Sequence, residues 1–143
     1  MEPHPPIPRV PRMMALVWAL SVSLSILAAG AVLALTPHWH TATQRLVRLS
    51  QGQAWLSIAL CVGLLLMSQR KHQERLEAWA QPVLLWVLGG FLCVLLQHFA
   101  LLPQWLAQPH AVWRQLQMVV LVLLQWGCAL ACVRQLRRAS LTP

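Results

Sequence analysis

The chain has 143 residues, of which 58% are hydrophobic and only 10% charged, with a mean hydropathy of +0.59 and a formal net charge of +8. A soluble domain carries about 25% charged residues, so this balance excludes a soluble domain and places the chain in a lipid bilayer. The basic excess, ten Arg and one Lys against three Glu, lies in short clusters beside apolar runs. That pattern reports membrane topology and attraction to anionic lipid, and nucleic acid is not a partner it suggests.

The N-terminal MEPHPPIPRVPR, with five Pro and two Arg, reads as an irregular cytoplasmic tail. A first span is predicted over about 14–35. The rival reading is a signal peptide, with Arg9 and Arg12 ahead of the apolar run and Ala29-Gly30-Ala31 resembling a cleavage site. The run is longer than the ~7–15 residues of such a segment, which favours an uncleaved span. Ser21, Ser25 and Ala29 put small residues on one face, suited to helix contact.

Thr41 and Gln44 form a capping-box pattern, with Ala42, Leu46 and Leu49 following at helical spacing and Arg45 and Arg48 on the other face. This predicts a short amphipathic external helix over 41–50, lying at or leading into the membrane and continuous with a second span at about 50–69. Gln69–Gln81, QRKHQERLEAWAQ, holds the only Lys and two of the three Glu. Charge this dense does not lie in hydrocarbon, so the segment is an aqueous turn. A third span is predicted over 82–102, with Pro82 in the first turn and Gly89-Gly90 as a close-packing or bending point. Pro103–His110 reads as a loop, 111–133 as the fourth span, and RQLRRASLTP as a basic tail.

Orientation follows from the basic residues. With the N-terminus inside, the inner side carries Arg9, Arg12, Arg70, Lys71, Arg75, Arg134, Arg137 and Arg138, and the outer side Arg45, Arg48 and Arg114. The positive-inside rule then puts both termini in the cytoplasm. Trp39, Trp55, Trp105 and Trp113 form an outer aromatic belt and Trp18 and Trp79 an inner one. The expected fold is all-α, a transmembrane four-helix bundle in a bacterial inner membrane.

That topology gathers His38, His40, His98 and His110 at the outer face. Imidazole binds copper, zinc and haem iron, so these four are the candidate metal ligands, with His98 as the fixed one; the competing reading is that His, like Trp, is tolerated at the headgroup interface. Arg114, one turn into span four, is a candidate for an anionic headgroup, a quinone carbonyl or a carboxylate, or it snorkels to the interface. Cys61, Cys93, Cys128 and Cys132 all lie in apolar runs and read as reduced packing thiols. Cys128 and Cys132 share a helix face on which a soft metal is the alternative. No span contains Asp or Glu, and no CxxC, HExxH, nucleophile elbow or P-loop occurs.

From Thr36 on, TPHWHTATQRLVRLSQGQAWLSIAL and LLQHFALLPQWLAQPHAVWRQLQ resemble, in spacing and character, small bacterial four-span proteins of the TMEM205-like, DUF4149 class. The departures are the lack of Phe in the first external segment and Leu116-Gln117 where that class has a Leu-His pair. The resemblance implies a bacterial inner-membrane protein without assigned chemistry. The residues themselves point to a non-enzymatic interaction, accessory or small-ligand-handling component, its partners the bilayer and other membrane proteins or further copies of itself. The alternative is a periplasmic-side copper or haem protein built on the four His.

Overall fold

The computed structural model describes residues 9–70, 80–108 and 110–141. Most of the charged turn lies outside them, as do Trp79 and residues 1–8. The described elements are helices: α1 (Arg9–Leu35), α2 (Trp39–Arg70), α3 (Ala80–Leu95), a π-helical segment (Leu96–Leu101), α4 (Leu102–Ala107) and α5 (Val112–Leu141). Four stretches are long and apolar enough to cross a membrane: Arg9–Leu35, Trp39–Met67, Gln81–Ala107 and Val112–Arg138. The shortest of them has 27 residues, which at 1.5 Å each gives about 40 Å against a hydrocarbon core of about 30 Å.

Helix α1 packs on α2 and α5, and α3 packs on the same two. The helices therefore alternate up and down, with α1 facing α3 and α2 facing α5 across the bundle. Inward positions recur at three- and four-residue steps on every helix, as Ala15, Trp18, Ala19 and Val22 do on α1 and Ala129, Cys132 and Leu136 on α5. The outward face is as apolar as the inward one: Leu20, Leu24 and Leu27 are each about two-thirds exposed. In a bilayer this is the lipid-facing surface. Lipid tails are no less apolar than Leu, so helix association there rests on close packing and hydrogen bonds.

The core cluster is drawn from the start of α1, the end of α2, the start of α3 and the end of α5. It therefore fills one end of the bundle. Its centre is Trp18, fully buried, whose six-membered ring lies over Gly90 so closely that a Cβ there would collide with it. This bridges α1 to α3 across the diagonal. The Gly89-Gly90 pair is thus a close-packing point. Trp18, expected as an interfacial anchor, is instead a core residue, because its position in the heptad-like series with Ala15 and Val22 points it inward.

Two boundaries differ from the sequence reading, and the continuity of residues 41–50 with the second span agrees with it; each has a reason in backbone hydrogen bonding. Helix α1 already begins at Arg9, with Pro11 buried in its first turn, where a missing N–H costs nothing because the first donors of a helix have no partner. Residues 41–50 are helical as the first turns of α2, which starts at Trp39 with the Ala42 N–H donating to the His38 carbonyl. Pro103 does not open a loop. The chain stays helical to Ala107, because Leu102 donates to the carbonyl of Gln97, five residues back. That wide turn absorbs the donor Pro103 lacks and relieves its ring against the carbonyl of Phe99.

Candidate functional site: a polar cavity inside the bundle

At the end of the bundle opposite the Trp18 core, the four helices separate around a cavity of about 140 Å³ that is not sealed from its surroundings. Each helix contributes one inward series to its wall. These are Ser25, Ile26 and Ala29 of α1, Ser50, Gln53 and Ala54 of α2, and Met118, Val122 and Gln125 of α5. Val94, Gln97 and His98 come from α3 and its π turn. The walls are mostly apolar. The small side chains of Ser25, Ala29, Ser50 and Ala54 leave the space, and the π turn carries Gln97 and His98 into it.

The floor of the cavity is a hydrogen-bond network. Gln125, only 3% exposed, donates through Nε2 to Ser57 Oγ across 3.0 Å, and Gln53 Nε2 donates to the same oxygen, also at 3.0 Å. Gln53 Oε1 accepts from Ser25 Oγ at 2.7 Å, and its amide reaches Ser21 Oγ at 3.4 Å. Three helices are thereby joined through one fully buried hydroxyl, and the Gln125–Ser57 bond crosses the second diagonal, α5 to α2. Interhelical hydrogen bonds in membrane proteins contribute about 0.6 kcal/mol on average and up to about 1.7 kcal/mol, so the network holds position more than it drives assembly. On the outer side of the same level, Trp126 Nε1 donates to Ser23 Oγ at 2.9 Å.

His98 stands in the cavity wall with its ring edge-on to Trp55 (centroids 6.1 Å apart) and to Phe99 (5.0 Å). Its Nδ1 is shut off from the outside and has no hydrogen-bond partner. A buried polar atom left unpaired costs about 1–3 kcal/mol; enclosed this completely, Nδ1 meets the cavity only when the ring turns, while the His98 ring itself lines the wall. Among the described residues no Asp, Glu, Lys or Arg lines the cavity.

The other sequence candidates do not join it. His110 stacks on Trp39, with ring centroids 6.5 Å apart. Trp39 and Trp55 are separated along α2 by about 24 Å at 1.5 Å per residue, so His110 and His98 sit at different levels. His38 and His40 are exposed at the α1–α2 connection. Among the described residues no group of three or more His, Cys, Asp or Glu is placed to hold a metal ion, so the four His are not brought to one ion. Arg114 Nη1 donates to Gln104 Oε1, tying the start of α5 to α4, and stays outside the cavity wall.

Sequence reasoning passed over Gln53, Ser57 and Gln125. The available signal was an amide inside an apolar run, as in Leu124-Gln125-Trp126, since a polar group at that depth must find a partner. No protein-family model, no curated protein and no solved structure matches this chain.

Proposed function

We propose that the chain is a multi-pass protein of the bacterial inner membrane, with both termini cytoplasmic, whose bundle holds a small ligand without transforming it. The observation that carries the reading is the cavity between all four spanning helices, mostly apolar and with the His98 ring and Gln97 in its wall. A purely structural bundle has no use for a gap where its helices would otherwise touch. Binding without chemistry is the simpler use of this wall. Among the described residues it carries no carboxylate or second titratable group to pair with His98 as acid and base, and its Ser hydroxyls are engaged with amides or have no base beside them.

The orientation draws on the alternating topology, which puts Arg9, Arg12, Arg70, Arg134, Arg137 and Arg138 at the Trp18 end and Arg45, Arg48 and Arg114 at the cavity end. By the positive-inside rule the cavity then opens in the periplasmic half of the bilayer, and the first turns of α2 stand at the outer interface. Reporter fusions after Gln44 and Gln108 are expected to read periplasmic, and those after Arg75 and Ser140 cytoplasmic; a cytoplasmic signal at Gln108 removes the four-span orientation.

The binding reading is tested by native mass spectrometry of protein extracted gently from its membrane, beside a Val122→Trp variant that fills the cavity. The wild type is expected to retain a small molecule that the filled variant lacks. Identical spectra from the two proteins sink it.

A further inference from the structure

We infer that the cavity takes a neutral, lipid-soluble molecule whose head is a single six-membered ring bearing a hydroxyl or carbonyl oxygen, of the phenol, quinol or quinone type. The inference rests on the ligand-holding reading above and names the class of ligand. Four features of the wall select it.

The volume, about 140 Å³, is that of cavities that bind benzene, about 150 Å³, so one ring fits and two do not. The wall is uncharged, and an ionised ligand moved there from water would lose its hydration with no counter-ion to replace it. The sides, Ile26, Leu46, Leu49, Val94, Met118 and Val122, are apolar and suit a ring face. The polar groups are few: Ser25, Gln53 and Gln125 already bond one another or Ser57, while the His98 imidazole and Gln97 of the π turn carry no such bond. An imidazole nitrogen accepts from a hydroxyl or, in its other tautomer, donates to a carbonyl, so one site serves both the hydroxylated and the carbonyl form of such a ring. The cavity is not sealed from its surroundings, so a hydrocarbon tail on the ring has a way out of it.

The test uses the full-length protein in detergent micelles with ¹⁵N-labelled histidine, the His98 signals being assigned by their loss in His98→Phe. Three ring-sized probes are titrated: p-cresol, toluene and benzoate. The expected result is a saturable shift of the His98 imidazole nitrogens with p-cresol, at roughly three- to tenfold higher affinity than toluene, the range one hydrogen bond supplies. Benzoate is expected to give no saturable shift. Val122→Trp, at the same micelle content, should abolish the p-cresol response and so separate binding from partition into detergent. In His98→Phe, p-cresol should no longer stabilise the protein against heat more than toluene does. If toluene matches p-cresol, or benzoate binds best, the ligand class is overturned while the ligand-holding reading survives. If no probe gives a response that Val122→Trp removes, the cavity holds water alone and both fall.

Discussion

The two ends of this bundle are built from the same four helices and packed in opposite ways. At the end shared by the start of α1 and the end of α5, Trp18 lies on Gly90 with Cys61, Cys132 and Leu136 fully buried around it. At the other end Ser, Ala and Gln line a cavity, and the longest reach across it is an amide to a hydroxyl. In water the apolar end would close by the hydrophobic effect alone. In lipid that drive is missing, and adhesion depends on how nearly the surfaces touch. A bundle tight at one end can keep the other open without falling apart, and the amide network sets how far open it stays.

The comparison breaks most readily at Gly90. An added methyl there falls well inside contact with the Trp18 ring and reaches 3.5 Å from Cys128 Cβ. The ring is fully enclosed and has nowhere to turn. Overpacking of this kind costs about 1–3 kcal/mol, and Gly90→Ala is expected at the upper part of that range, measured by unfolding in mixed micelles. In a Trp18→Phe background the far edge of the ring is gone and the added cost of Gly90→Ala should fall below about 1 kcal/mol. A Gly90→Ala protein as stable as the wild type would mean that this end is not close-packed.

The contrast between the ends was only half legible in the sequence. Four apolar runs separated by Pro, Arg and a charged turn declare four spans whatever their neighbours, because the bilayer acts on each helix singly. Gly89-Gly90 was legible for the same reason, since a helix in lipid has few other uses for Gly. Which way Trp18 faces depends on the helix across the bundle, and a Trp near a span end fits both the interface and the core. The helical course through Pro103 was hidden because a one-residue shift in hydrogen bonding leaves no mark in composition. The depth of the His residues was hidden too: topology puts His98 and His110 toward one side, yet the helix runs on past His98 to Ala107.

At the open end the largest expected effect belongs to Ser57→Ala. It removes the acceptor shared by Gln53 and Gln125, leaving the Gln125 amide to find a new partner and that of Gln53 with only its longer bond to Ser21. With about 0.6 kcal/mol on average for each such bond, the loss should be about 1–2 kcal/mol. Gln125→Leu removes one donor and leaves the Gln53–Ser57 bond intact, so it should cost less. If Ser57→Ala proves as costly as Gly90→Ala, the network is driving assembly and the division between the two ends is wrong.

The smallest effects are expected at the remaining glycines, and they sharpen the comparison because their surroundings differ. A Cβ on Gly63 meets only the terminal methyl and sulfur of Met14, the far end of a flexible side chain that can swing aside. Gly63→Ala should therefore change stability by less than about 0.5 kcal/mol, despite lying at the tight end. Gly127 and Gly30 have no atom within 4 Å of an added Cβ. In water, Ala in place of Gly gains about 1 kcal/mol in a helix, and in lipid part of that preference is already met because the backbone must bond internally in either case. Gly127→Ala is thus expected to be neutral or stabilising by up to about 0.5 kcal/mol. Its outcome also bears on partners. The exposed Gly127 faces away from the core, so a loss of more than about 1 kcal/mol on adding one methyl requires another helix pressed against that face. A Gly127→Ala protein that loses stability and, in cross-linking, also loses a dimer would make two copies of the bundle the working unit. One that keeps its stability leaves the single bundle as that unit.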